Sequence, residues 1–280
     1  MQNMNTKTNI IAHIFSARFA AILLITGSPA ACKKADYLDV NAGERPPLSA
    51  QISFVNARPV DIPLQFWAFT AQVTTTAVGV GKASPYLPTV FGNVQINFTE
   101  GTGTSYKLSR QFGNQAAFTA NGGPNGPVAG YYHTVFAASS KTDITKDTLI
   151  LFYDNLKAPA AGKAKLRFVH LAPGIPAVSI TLEQQGGKSL LFGSVDYGRA
   201  GGSVLTGDSL NVWSLGPFIE VPAGTAGLTV NTSADNSPLA IEGETFSNLT
   251  LEAGKSYTAF LYKAPGKSAT GGAIITHLEN

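Results

Sequence analysis

Cysteine occurs once in the 280 residues, at Cys32, so neither a disulfide scaffold nor a CxxC metal knuckle can be built. Charge is sparse too. Asp, Glu, Lys and Arg make up 13% of the chain, about half of the roughly 25% usual in globular proteins. The 20 Lys and Arg nearly balance the 17 Asp and Glu and form no cluster, which argues against a nucleic-acid partner. No apolar run approaches the about 20 residues of a membrane-spanning helix, so a polytopic membrane protein is excluded. Hydrophobic residues still reach 44%, which excludes disorder, whose mark is low hydrophobicity with high net charge. HExxH, GxSxG, the P-loop and the dinucleotide fingerprint are all missing.

What is present begins with the N-terminus. Lys7 and Arg18 are the only charges before Cys32, the apolar run Phe19–Thr26 follows, and Gly27-Ser28-Pro29-Ala30-Ala31 leads into Cys32. A positive start, a short apolar stretch and small residues are the pattern of a secretory signal peptide, expected over residues 1–31. The lone Cys stands where a bacterial lipoprotein carries its lipidated residue, and Ala30-Ala31-Cys32-Lys33-Lys34 resembles a loose Bacteroidetes lipobox. Pro29 departs from that pattern, where Leu, Val or Ile is usual. Ser28-Pro29-Ala30 also fits an ordinary signal-peptidase cut. Lipidation at Cys32 is the expectation, because a thioether-bound lipid removes the one unpaired thiol of an exported chain. A lipoprotein cysteine carries two or three acyl chains, enough for stable attachment. After cleavage 18 basic and 17 acidic residues remain, so charge would not hold the protein to anionic lipid. Residues 32–49 are polar, contain Pro46-Pro47 and lack periodicity. They read as a tether, and its 17 residues from Lys33 to Ser49 reach at most about 60 Å.

Beyond the tether the chain repeats. Ala50–Asn56 matches Ala164–His170 at an offset of 114, and Phe98–Thr102 matches Val221–Thr225 at 123. Tyr131–Phe136 matches Ser256–Leu261, and Leu149–Asn155 matches Ile274–Asn280, both at 125. The offset grows through an insertion within Asp196–Pro217. Ile52, Phe54 and Asn56, like Leu166, Phe168 and His170, alternate with residues of the other face, the period of a strand. Further period-2 runs separated by Gly, Pro and Asn recur, and no helical stripe follows the signal peptide. The chain is therefore expected to be all-β: two tandem immunoglobulin-like or transthyretin-like antiparallel β-sandwiches, at residues 50–156 and 164–280, joined by a linker at 157–163.

The segment Ala164–Leu182, the turn Pro222-Ala223-Gly224-Thr225 and the late run Leu249–Tyr262 resemble the bacterial secreted family known as domain of unknown function 4397. The first half looks like a diverged copy that keeps Phe54-Val55, Pro59, Gly101 and Tyr132. The resemblance implies a β-sandwich at a bacterial surface or in the periplasm, and no activity.

Few residues offer chemistry. His133, His170 and His277 are the histidines outside the signal peptide. His170 and His277 would meet only if the first and last strands of the second copy were neighbours, and no metal site is expected, since zinc needs three or four converging ligands. Asp196 and Asp208 form a carboxylate pair in the inserted loop, read as solvated. Gly79-Val80-Gly81-Lys82 lacks the spacing of a phosphate loop. One ring of each pair Phe66-Trp67 and Tyr131-Tyr132 should face outward; such a ring, or Phe69, Tyr197 or Trp213, would suit a glycan if exposed, although most of these rings are expected in the core or at the domain junction. Asp147-Thr148-Leu149 and Asp208-Ser209-Leu210 resemble a bacterial O-glycosylation pattern, and the sequons at Asn97, Asn231 and Asn248 mean nothing in a bacterial lipoprotein. No catalytic residue, cofactor or metal is expected. The expected protein is a non-enzymatic lipoprotein of the outer membrane, on its periplasmic or surface face. Its partners would be the membrane through its lipid and a glycan or protein at the cell surface. A glycan-binding accessory of an uptake system and an enzyme of unrecognised type are the alternatives.

Overall fold

The computed structural model describes residues 48–114, 126–201, 218–243, 246–266 and 269–278. The expected signal peptide, Cys32, the expected tether up to Pro47, Asp208 and Trp213 lie outside these residues. Every regular element among the described residues is a strand. The first half comprises β1 (Ala50–Ala57), β2 (Leu64–Ala68), β3 (Ala71–Gln72), β4 (Leu87–Thr89), β5 (Val94–Glu100), β6 (Leu108–Phe112), β7 (Tyr132–Ser139) and β8 (Asp147–Asp154). The second comprises β9 (Lys163–Leu171), β10 (Val178–Gln184), β11 (Gly187–Val195), β12 (Ile219–Pro222), β13 (Gly224–Thr232), β14 (Ile241–Gly243), β15 (Leu249–Leu251), β16 (Ser256–Lys263) and β17 (Thr270–His277).

The first half stacks sheet β4-β1-β7-β8 on sheet β3-β2-β5-β6, and the second stacks β12-β9-β16-β17-β14 on β11-β10-β13-β15. The all-β sandwich reading therefore holds, with one difference in strand direction. β1 runs parallel to β7, β9 parallel to β16, and β14 parallel to β17. Parallel neighbours need a long crossover; between β1 and β7, and between β9 and β16, the chain of the opposite sheet supplies it.

Alternation sets three cores. In the first sandwich Ile52 and Phe54 face Phe66, Ile96 and Phe98, with Val135 and Leu149 closing the layer. In the second, Leu166 and Phe168 face Ile180, Leu182 and Val230, with Ala259 and Leu261 beside them. The opposite faces of β1, β7, β8, β9, β16 and β17 are also apolar, at Val55, Phe136, Phe152, Val169, Phe260 and Ile275. A strand apolar on both faces must be covered on both, and here the two long sheets cover each other. Leu48–Asn280 accordingly forms one compact unit.

Strand pairing corrects the repeat register. Gln51 lies opposite Tyr132 and Lys165 opposite Ser256, so the β7–β16 offset is 124. A shift by one residue swaps the faces of a strand, and only 124 puts Phe136 and Phe260 on the same face. Tyr132 opposes Asp154 and Ser256 opposes His277, so the β8–β17 offset is 123. The Gly101 and Gly224 turns are not equivalent: Gly101 follows β5, whereas Gly224 opens β13. Both glycines have positive φ, 55° and 127°, and the shared need for glycine made them look alike.

His170 and Asn56 are equivalent and do the same work. Asn56 Oδ1 accepts from the Arg58 amide at 3.2 Å, and its Nδ2 donates to Ile62 O at 3.0 Å. His170 Nδ1 accepts from the Ala172 amide at 3.3 Å, so Nε2 carries the proton and donates to Pro176 O at 3.1 Å. Each side chain ties the turn that follows its strand two and six residues on. His170→Asn is expected to fold with a change below about 1.5 kcal/mol, the scale of one hydrogen bond. Phe168→Ala, which empties a fully buried site, should cost about 3–5 kcal/mol. Urea melts of both variants check the pair, and equal losses would contradict the assignment of core and turn.

Candidate functional site

The chemistry-bearing side chains gather where the two long sheets meet. Asp154 ends β8 and Arg167 lies in β9; both are fully buried, with Arg167 Nη1 2.6 Å from Asp154 Oδ1. Burial alone would raise the Asp154 carboxyl, but the Arg167 charge, aided by hydrogen bonds from Thr134 and Tyr86, holds it below the usual carboxylate range. Phe218 and Phe152 flank the guanidinium, with ring centroids 4.5 Å and 5.5 Å from its carbon.

From this pair a closed ring of hydrogen bonds can be assigned proton by proton. Arg167 Nε donates to Thr258 Oγ1 at 3.0 Å. The Thr258 hydroxyl then donates to His277 Nε2 at 2.7 Å. His277 is left with its proton on Nδ1 and donates to the Tyr86 oxygen at 2.6 Å. Tyr86 donates to Asp154 Oδ2 at 2.7 Å, where Thr134 donates as well at 2.6 Å. The ion pair closes the ring. Arg is always a donor and an ionised Asp only an acceptor, so direction and tautomer follow. The assignment requires a neutral His277. Burial supports it by lowering the His277 pKa to about 4, against the opposing pull of Asp154. Tyr86 is pushed up, first by burial and then by Asp154.

Tyr86, Thr134 and Asp154 come from the first half, and Arg167, Thr258 and His277 from the second. By the corrected register Thr134 corresponds to Thr258, Asp154 to His277, and Ser53 to Arg167. The equivalent rings of Phe136 and Phe260 touch, with centroids 5.3 Å apart. Equivalent residues in contact mark a two-fold-like packing, an isologous interface within one chain. Where the second half places Arg167, the first has Ser53. The smaller residue leaves a cleft of about 310 Å³ that Ser53, Lys82, Ser84, Tyr86 and His277 help to line. Ser53 Oγ donates to Ser84 O at 2.8 Å, and Ser84 Oγ accepts from the Phe54 amide at 2.9 Å.

The other sequence candidates scatter. His170 and His277 do not meet, because β16 lies between β9 and β17. His133 is buried beside Tyr153 and accepts at Nε2 from the Val128 amide at 3.2 Å; burial lowers its pKa to about 4. No group of three or more His, Cys, Asp or Glu converges among the described residues. Asp196 is exposed. Thr148 of the O-glycosylation pattern sits in β8 and accepts from Arg110 at 3.0 Å, and Asp147 pairs with Arg58 at 2.8 Å. Gly79–Lys82 is a turn against the second half, where a Cβ on Gly81 would sit 3.3 Å from the Tyr262 hydroxyl. Its repeat partner escaped the sequence comparison. Gly81-Lys82-Ala83 corresponds to Gly198-Arg199-Ala200, each bridged to the same strand position, at Val55 and Val169. Trp67 is half-buried and packs against Tyr106 with centroids 5.9 Å apart, beside an exposed Phe69. Sequence reasoning missed the ring itself. Arg167 and Asp154 lie on the face that period 2 assigns to solvent, and their signal was a charge within an otherwise apolar strand run.

Fold and site together define a double β-sandwich protein whose halves are joined through a buried polar ring. Residues 50–181, somewhat under half of the chain, match the family model described as a domain of unknown function (DUF4397). The match starts with β1 and ends within β10. No curated protein matches the chain. Among solved structures, a candidate cell adhesion protein from Bacteroides uniformis ATCC 8492 is 12% identical, with 83% of this chain and 98% of the other covered and a TM-score of 0.22.

The ring makes two expectations measurable. Removing one partner of a buried ion pair typically costs about 3–5 kcal/mol, whereas replacing both with apolar residues is often neutral. Arg167→Met should thus be strongly destabilised and Arg167→Met with Asp154→Leu largely restored in urea melts. A double variant no better than the single one would remove the pair from its central place. For pH, His133 and His277 have folded pKa values near 4 against about 6.5 unfolded, so the unfolded chain binds more protons between those values. Stability should be full above pH 6.5 and fall as pH drops towards 4, by on the order of 3 kcal/mol for each histidine. Below about pH 4 the depressed Asp154 adds a further loss. A urea midpoint that stays level from pH 7 to pH 4.5 would refute this.

Proposed function

We propose that this protein is a non-enzymatic cell-envelope lipoprotein that presents its joined sandwiches, through the tether, as a binding or structural module. The observation that carries the reading is the use made of the reactive side chains. Asp154, Arg167, His277 and Tyr86 are buried against one another between the two halves, and His170 ties a turn. Groups held this way give cohesion and leave little freedom for acid, base or nucleophile chemistry. The leader pattern before Cys32 supports export and lipid attachment to the outer membrane, on the periplasmic or surface face. The glycan-binding alternative has one observation in its favour, the Trp67–Tyr106 pair beside exposed Phe69.

Cys32→Ala should move the protein from the membrane fraction to the soluble fraction and abolish metabolic labelling by fatty acid. Labelling that persists in this variant, or a parent that is never membrane-bound, would overturn the lipoprotein reading.

A further inference from the structure

The first sandwich carries an exposed apolar tip at the end where the tether joins. Leu48 is 75% exposed, Val90 46%, Phe91 42% and Tyr131 49%. Pairing brings them together. Ala50 opposes Thr89, so Val90 and Phe91 continue beside Ser49 and Leu48. The Gln51 amide donates to Tyr131 O, and the Gly130 amide to Ser49 O, at 2.9 and 2.8 Å. Beneath the tip Gly92, Gly113 and Gly126 pack backbone on backbone, with no room for a Cβ on Gly113 or Gly126. The rings are thus held out on a firm base.

The second sandwich supplies an internal control. The same backbone bonds recur there: the Lys165 amide donates to Lys255 O and the Gly254 amide to Lys163 O, both at 2.8 Å. By the same pairing, Leu48, Val90, Phe91 and Tyr131 correspond to Gly162, Pro222, Ala223 and Lys255. The fold therefore does not require large apolar residues at these positions. They occur in the copy that follows the tether, and not in the other. Exposed aromatic and aliphatic side chains on a rim suit the boundary between headgroups and acyl chains, where Tyr is favoured and apolar groups sink by about 5–10 Å. The 15 residues between Cys32 and Leu48 reach at most about 54 Å, so the tip is the part of the described fold nearest along the chain to the proposed anchor.

We propose that Leu48, Val90, Phe91 and Tyr131 form a membrane-docking tip that seats the first sandwich on the bilayer holding the Cys32 lipid. This rests on the lipoprotein reading. The first sandwich is then held against the surface in a fixed orientation.

The test uses the full lipidated chain in phosphatidylcholine–phosphatidylethanolamine vesicles. Acylation blocks Cys32, so Phe91→Cys or Ala223→Cys offers one thiol for a polarity-sensitive dye. The dye at 91 should shift to the blue on vesicles and be quenched by acyl-brominated lipid at least about twofold more than the dye at 223, as shallow insertion requires. Val90→Ser with Tyr131→Ser should remove that difference while the chain stays vesicle-bound through its lipid. A bound chain with equal quenching at 91 and 223 would overturn the docking tip and leave the anchor standing. A chain that does not partition with vesicles would overturn both. A blue shift that grows with protein concentration in detergent, without vesicles, would assign the tip to a second copy instead.

Discussion

Arg167 and Asp154 face each other with no exposed surface, and the way the two halves join depends on how that charge is compensated. Taking two ions out of water costs several kcal/mol for each, and their attraction repays it only when good geometry and further hydrogen bonds are added. The ring provides these. Thr134 and Tyr86 donate to the carboxylate, Thr258 accepts from the guanidinium, and two phenylalanine rings flank it. Every participant must then stay where it is, and that fixes one alignment of the two sheets. The apolar contacts around Phe136 and Phe260 add area without direction; the ring adds direction.

Duplication followed by divergence accounts for much of the rest. Corresponding strands keep their pairing, and Asn56 and His170 hold corresponding turns with different chemistry. The facing sheets have lost their symmetry where it matters. Arg167 pairs with Asp154, while the corresponding Ser53 and His277 border a cleft. At the strand-start ends, one copy carries Val90, Phe91 and Tyr131 and the other Pro222, Ala223 and Lys255. One half thus acquires a surface that the other lacks, on the same backbone.

The sequence by itself determined the strands, the repeat and the inward faces, because period 2 is local and Ile52, Phe54, Leu166 and Phe168 follow it without exception. It also determined the turn role of His170, since Asn56 in the other copy limits what that position can do. It erred by one residue in aligning Tyr131–Phe136 with the second copy, because the match of Tyr132 with Tyr257 outweighed the alternation that separates the two faces. Only the tertiary structure decided that the faces bearing Arg167, Asp154 and His277 are covered. Polar residues in period-2 positions look the same whether water or a second sheet lies opposite them. Burial of that face depends on a sheet from the other half of the chain packing over it, and no local pattern encodes that.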